Sequence, residues 1–363
     1  MYDIGIIGAG PAGATLARLA AKNHRVLLLN SGREKCCGGI LAPEAQKILA
    51  QLNLSLPKKV LVDPQPFAVT VMDAKSNLIR HYSRQYVNIN RHDFDQWLLS
   101  MLPDSVDVRF NAIYKKAEIN TTTNKSNDTI TVHFNENGKQ QTEKVKLLVG
   151  ADGAASAVRR QFFKSSSKLK KYVAFQDWYD NNEITFEANS KSSNINFFNN
   201  YVGIFDNEIT DFYCWTIPKD NQILIGGAIP FLPDARNRFE NFKTYLNSIG
   251  LKIGQVKKHE LCLILRPMAT SAINLGTKQV MLIGEAAGLI SPTSAEGIST
   301  ALASAIALAK AINSNKNNLF NEYKKNTKNI IRSIKLKYLK NPAMFNPYLR
   351  KLIMKFGFTA LDK

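Results

Sequence analysis

Three stretches of this 363-residue chain carry residue types at spacings that suit chemistry. Gly8-Ala9-Gly10-Pro11-Ala12-Gly13 sits between an apolar run, Tyr2 to Ile7, and an alanine-rich segment, Ala14 to Lys22. Gly8 suits a tight turn, Gly10 lets a pyrophosphate approach the backbone, and Gly13 lets helix and strand pack closely. The charge of such a group would be met by free N–H groups and the dipole at a helix N-terminus. Cys36-Cys37-Gly38-Gly39 is a loop with two adjacent thiols. Tyr213-Cys214-Trp215-Thr216-Ile217-Pro218 alternates like a strand, and Trp215 suits a core position as well as the wall of a cavity. Two further turns each follow an apolar strand and present one carboxylate: Gly150-Ala151-Asp152-Gly153 and Gly284-Glu285-Ala286-Ala287-Gly288. Asp152 suits capping a turn as well as touching a ligand.

These residues need a scaffold, and the pattern around them predicts one. Met1 to Asn30 read as a βαβ unit whose second strand is Arg25 to Leu29. That strand ordinarily ends in a carboxylate for ribose hydroxyls; here it ends in Asn30, followed by Ser31. Pro43 to Leu54 and Arg91 to Leu102 read as helices, and a strand around Phe67 to Met72 turns near Lys75-Ser76-Asn77. Val106 to Phe110, Ala112 to Ile119, Thr129 to Phe134 and Lys144 to Val149 read as strands, with a polar turn from Asn120 to Asn127. From Ser165 to about Leu265 the chain is strand-rich and aromatic, with strands expected at Ile195 to Ile204, Asp211 to Ile217 and Gln222 to Ile229. A helix is expected at Arg238 to Ile249. Val280 to Gly284 is another buried strand and Gly297 to Asn313 an alanine-rich helix whose N-terminal amides suit an electron-rich ring edge. The expected organisation is a discontinuous dinucleotide-binding domain (1–60, 85–164, 266–318), an inserted antiparallel-sheet substrate domain (61–84, 165–265) and a helical C-terminal segment (319–363).

The chain carries 48 basic and 29 acidic residues, a formal charge of +19. Such a surface attracts nucleic acid, anionic lipid or an acidic substrate, and it equally fits an ordinary enzyme rich in Lys, Asn and Ile. Four cysteines match neither a disulfide framework nor a metal-ligand spacing, so no metal is expected. No run approaches the ~18 apolar residues of a membrane span. The N-terminal apolar run is broken at once by glycines, unlike a signal peptide. The expectation is a cytoplasmic protein. The tail stretch Tyr348 to Phe358 places Leu349, Leu352, Ile353 and Phe356 on one helical face beside Arg350, Lys351 and Lys355. Packing on the protein's own core is the commoner fate of such a face; peripheral contact with an anionic membrane, at its inner face, is the other.

The ordered set of motifs, with Arg91-His92-Asp93-Phe94-Asp95-Gln96-Trp97-Leu98 between them, resembles the large FAD-dependent enzymes of the para-hydroxybenzoate hydroxylase fold. Cys37-Gly38-Gly39 and Tyr213 to Pro218 look like the geranylgeranyl reductase branch of that group, and the resemblance covers residues 1 to about 310. It implies an α/β fold with a Rossmann-like FAD-binding domain of the glutathione reductase type. Ala12 with Gly8, Gly10 and Gly13 would hold the pyrophosphate, Asn30 and Ser31 would stand where the family's ribose carboxylate lies, and Arg91 would reach the phosphate or ribityl part. Ala112 would face adenine, and Asp152 would approach the cofactor. Glu285, where the family has Asp, would bond ribose or ribityl hydroxyls with Gly284 and Gly288 turning the chain around it. Gly297 and Ile298 would offer amides to the flavin's pyrimidine end. Cys37, Gly38 and Gly39 would lie beside the flavin, and Tyr213, Trp215 and Pro218 would line the substrate cavity.

The implied activity is reduction of C=C bonds in an isoprenoid or other hydrophobic substrate, with Cys37 as proton donor. A monooxygenase is the alternative. Ile217 in place of the family's Phe brings the stretch within one residue of a flavin-dependent halogenase motif, a third enzyme reading, and a non-catalytic flavin-binding protein is the remaining one. No second Gly-rich βαβ unit is present, so electrons would come from an external donor such as NAD(P)H or ferredoxin. No nucleic-acid partner is expected.

Overall fold

The computed structural model describes residues 1–121, 128–164, 168–189, 192, 194–314 and 318–356. Most of the expected polar turn (122–127) and the last two residues of the expected tail helix, Gly357 and Phe358, lie outside the described residues. The chain divides into two compact units: residues 1–34, 94–169 and 265–336, and residues 35–93, 170–264 and 337–363. Residues 35–60 and 85–93, expected with the nucleotide-binding part, fall in the second unit, and the C-terminal segment divides at Leu336.

The first unit is built on a seven-stranded sheet in the order Val106–Arg109, Val26–Leu29, Tyr2–Ile7, Lys139–Gly150, Thr129–Glu136, Ala112–Asn120, with Val280–Leu282 also pairing Lys139–Gly150. Its centre is parallel: Tyr2–Ile7 pairs in parallel with both Val26–Leu29 and Lys139–Gly150, and the latter with Val280–Leu282. The 12-residue strand Lys139–Gly150 is long enough to serve two partners along one edge. Its first half is antiparallel to Thr129–Glu136 and its last three residues run parallel to Val280–Leu282. Val26 to Leu29 are all buried, as expected of a strand covered on both faces. The helices Pro11–Ala20 and Ile298–Ile312 pack on each other, and their alanines (Ala12, Ala301) allow the close approach. Tyr323, wholly buried, donates from its hydroxyl to the Leu282 carbonyl at 2.8 Å and ties the helix Leu319–Asn326 to the sheet.

The second unit holds a largely antiparallel sheet in the order Lys258–Pro267, Leu169–Asp180, Gln222–Pro230, Cys214–Lys219, Tyr201–Phe205, Ala68–Asp73, Leu78–Ser83. The helix Ala235–Ser248 covers one face; Phe239 stacks on Phe175 with ring centroids 5.2 Å apart. Two expected strands are shorter than the pattern predicts. The stretch before Tyr201 stays irregular because Asn196 Oδ1 accepts from the Phe198 and Asn199 amides, replacing ladder bonds with a local turn. Before Cys214, the Thr210 hydroxyl accepts from the Phe212 amide and donates to the Ala228 carbonyl, holding a bend. In the tail, Asn346 caps Pro347–Phe356 through the Tyr348 and Leu349 amides. The face this helix buries carries Arg350 and Met354, while Leu349, Leu352 and Phe356 are exposed. Of the expected apolar stripe only Ile353 turns inward, half-buried beside Val71 and Phe205; the other three residues do not pack on the core.

Candidate functional site

In the first unit, Gly8 has φ +102°, and a Cβ there would stand 2.6 Å from the Ala151 carbonyl oxygen. A Cβ on Gly13 would lie 1.9 Å from the Gly8 carbonyl oxygen, so strand and helix approach as only glycine permits. A Cβ on Gly10, by contrast, would meet nothing within 4 Å. The helix Pro11–Ala20 has no side-chain cap, Pro at its start and no acidic residue in its first turn, so its N-terminal amides and dipole face that open space uncompensated. This is a cradle that fits a pyrophosphate. Beside it, Asn30 donates its amide to the Arg109 carbonyl and accepts from the Ala112 amide, tying Ala112 to the end of the second strand. Its side-chain oxygen takes the Gly32 amide at 3.0 Å, which leaves its NH2 and the second lone pair of that oxygen able to meet a ligand hydroxyl. Ser31 is exposed and accepts weakly from the Arg33 amide.

The two carboxylate turns lie in the same unit. Asp152 Oδ2 accepts from the Ala157 and Val158 amides at 2.7 and 3.3 Å, capping the short helix Ala157–Phe162. Oδ1 is buried and has no partner among the described residues, and burial pushes the carboxyl's pKa up. The capping role thus coexists with one oxygen able to meet a ligand donor. Gly284 and Gly288 both take positive φ, 56° and 79°, which folds the chain tightly around Glu285. Glu285 Oε1 accepts from the Leu265 amide at 3.0 Å, so part of the carboxylate expected at hydroxyls anchors backbone. Arg159 clamps this turn, donating to the carbonyls of Ala286 at 3.1 Å and Ala272 at 2.9 Å; burial lowers its pKa. Arg266 donates to the Pro292 carbonyl on the way to the next helix. At that helix, Ile298–Ile312, Glu296 takes the Ser299 amide at 2.7 Å, while the amides of Gly297 and Ile298 have no acceptor within the helix.

The other expected residues lie in the second unit. Arg91 opens the helix Arg91–Ser100. The Cys37-Gly38-Gly39 loop is held from three sides. Gly39, at φ +61°, donates its amide to Cys37 Sγ at 3.5 Å and accepts from the Ile89 amide at 2.8 Å. Lys219, buried, donates from Nζ to the Gly39 carbonyl (3.2 Å), the Ile89 carbonyl (2.9 Å) and Asn88 Oδ1 (2.5 Å). Burial pushes its pKa down to about 7, against the neighbouring Cys37 and Asp220, which favour the charged form. Gly38 packs on the aromatic strand: a Cβ there would stand 2.7 Å from Ile217 Cδ1. Trp215 on that strand and Tyr213 just before it have ring centroids 5.6 Å apart, and Asn88 Nδ2 donates to the Pro218 carbonyl. Trp215 Nε1 lies against Gly226, where a Cβ would approach to 2.5 Å, and has no hydrogen-bond partner among the described residues. Tyr213 is buried, and desolvation pushes its pKa up. Cys36 is a buried thiol that donates to Gln176 Oε1 at 3.0 Å, its pKa raised by its hydrogen bond with Cys262 and then by burial.

Lys219, Asn88, Arg159 and Arg266 were not singled out from the sequence. The available signal was a lysine immediately after Pro218 on an apolar strand, since a fully buried Lys is rare unless paired.

Residues 1–334 match the family described as FAD binding domain. The chain is 37% identical over 370 residues to Protein CbrA of Escherichia coli O139:H28 (strain E24377A / ETEC), covering 100% of this chain and 98% of that protein. Among solved structures it is similar to a geranylgeranyl bacteriochlorophyll reductase-like protein from Thermoplasma acidophilum, with TM-score 0.74, 19% identity, and 94% and 85% of the two chains covered. It is also similar to pqsL, a probable FAD-dependent monooxygenase from Pseudomonas aeruginosa, with TM-score 0.69, 15% identity and 98% and 99% coverage.

Proposed function

This chain belongs to the FAD binding domain family, and from that premise we propose that it reduces carbon–carbon double bonds of an isoprenoid or another hydrophobic substrate. It is an FAD-dependent oxidoreductase with the Rossmann-like fold of the para-hydroxybenzoate hydroxylase type. When bound, FAD supplies hydride transfer or, once reduced, oxygen activation. The first unit would hold it: the Gly8 to Gly13 turn at the pyrophosphate, Asn30 at a ribose, Glu285 and Asp152 Oδ1 at hydroxyls, and the Gly297 and Ile298 amides at the pyrimidine edge.

The observation that carries the reductase reading is the packing of the Cys37-Gly38-Gly39 loop on the Tyr213 to Pro218 strand. These are the two stretches that resemble the reductase branch, and they form one structural element inside one unit. Cys37 Sγ accepts from the Gly39 amide, which orients the thiol and keeps its S–H as a donor. We assign proton delivery to that atom, with Tyr213 and Trp215 walling the apolar substrate and excluding water. The electron donor is external. The similarity to the geranylgeranyl bacteriochlorophyll reductase-like protein of Thermoplasma acidophilum supports this choice.

Anaerobic photoreduction followed by air tests the reading. Direct reoxidation without a stable hydroperoxide absorbance is expected. A long-lived hydroperoxide that decays faster with an aromatic substrate would make the protein a monooxygenase.

A further inference from the structure

The tail helix Pro347–Phe356 is fastened to the second unit by its polar side. Arg350, 4% exposed, donates from Nε to Asp73 Oδ2 at 2.7 Å, from Nη1 to the Met344 carbonyl at 2.8 Å and from Nη2 to Asn207 Oδ1 at 2.9 Å. Its guanidinium lies 5.0 Å from the Phe205 ring centroid, and Met354, one turn on, is buried on the same side. At about 100° per residue, Tyr348, Leu349, Leu352 and Phe356 fall within one arc opposite Arg350 and Met354. They are 78%, 44%, 51% and 64% exposed. Leu339, near the end of the preceding helix, is 66% exposed. Lys351 and Lys355 are exposed beside this arc, and no acidic residue occurs between Lys337 and Phe356, a stretch that also holds Lys340 and Arg350.

We propose that the outward face of this helix seats the protein on an anionic lipid surface. A short helix with bulky apolar residues on one face and lysines along its edge is the form that lies in a bilayer interface. The lysines answer the negative surface potential of such a membrane, and nothing acidic on the segment opposes it. A second copy fits less well. Four side chains on ten residues fall short of the ~800 Å² per partner that a stable interface buries. A two-fold pairing would also bring two copies of a chain of charge +19 together along lysine-edged helices. The fastening by Arg350 explains how the helix stays docked while its apolar side remains outside. The inference rests on the tail alone and does not depend on which reaction the flavin supports, so either can fail without the other.

Flotation of the full-length, FAD-loaded protein with vesicles of phosphatidylcholine alone or mixed with phosphatidylglycerol tests it. Binding to the anionic vesicles only, reversed by salt, is expected. Leu352→Ser with Phe356→Ser should abolish it. Lys351→Gln with Lys355→Gln should weaken it roughly thirty-fold, at about a tenfold per 1.4 kcal/mol and about 1 kcal/mol for each lysine. All variants should keep flavin content and thermal midpoint, because the four positions are exposed. Equal binding to neutral vesicles, no binding to either kind, or unchanged binding by both double variants would overturn the proposal. So would a dimer in analytical ultracentrifugation that Leu352→Ser with Phe356→Ser dissolves, because the face would then belong to a second copy.

Discussion

The Gly8 to Gly13 turn and the Cys37 to Gly39 loop are both glycine turns beside expected ligand groups, yet they are built in opposite ways. The first is self-contained. Its shape follows from three glycines between a strand and a helix, and its electrostatics come from backbone amides that need no distant partner. The second has no such internal logic. Its carbonyl at Gly39 is held by Lys219, 180 residues away, and by the amide of Ile89. The backbone-built site draws its ligand-facing amides from one continuous turn, whereas a clamp-built site is only as ordered as its clamp.

Glycine substitutions break the first site in two distinguishable ways, and they carry the largest expected effect. Gly13→Ala forces a Cβ to 1.9 Å from a backbone oxygen that cannot yield, so it should cost roughly 4 kcal/mol or more and release the flavin. Gly10→Ala, with open space and an extended backbone (φ −71°), should keep the thermal midpoint of the flavin-free protein yet lose flavin, because its Cβ enters the pyrophosphate's place. Differential scanning fluorimetry with and without FAD separates the two outcomes.

The same contrast decides what could be read from the sequence. The nucleotide turn, the parallel strands and the alanine-rich helix were legible because glycine spacing and apolar runs are local signals. Lys219, Asn88 and Arg159 were not, because each acts on a carbonyl or amide brought near by the fold. The tail was legible as an amphipathic helix but not in its orientation. Burying Arg350 became favourable only through Asp73, Asn207 and the Met344 carbonyl, which lie far off or in a preceding turn. The strand expected across Ile195 to Ile204 begins only at Tyr201 for a local reason: Asn196 offers its backbone neighbours a competing acceptor.

Arg350→Ala probes the strongest clamp. It strands Asp73, 1% exposed, without its cation and should cost about 3–5 kcal/mol, measured by urea unfolding with flavin bound.

Lys219→Met should follow, at roughly 3 kcal/mol, because three oxygens lose a shared donor. It also carries a pH signature. With its pKa lowered to about 7 from the ordinary 10.5, the folded state binds fewer protons than the unfolded state between those values. The Lys219 contribution to stability therefore rises as pH climbs through that window and is flat below it. The difference between wild type and Lys219→Met, followed by unfolding at a series of pH values, should widen from pH 7 upward. A constant difference would mean that the ammonium stays charged throughout.

The smallest effect is expected at Asn30. Asn30→Asp keeps an oxygen for the Gly32 amide and adds a charge-assisted bond to a ribose hydroxyl, so flavin affinity should rise by about 1 kcal/mol in titration calorimetry. Unchanged affinity would place that side chain away from the ribose.

Anaerobic mixing of the photoreduced protein with a polyprenyl alkene, with mass spectrometry of the extracted product, tests the assigned reaction most directly. Flavin reoxidation should keep pace with a product two hydrogens heavier per reduced bond, and Cys37→Ala should slow this step with flavin content unchanged. A flavin that stays reduced until air is admitted, followed by a product carrying one added oxygen, would contradict it.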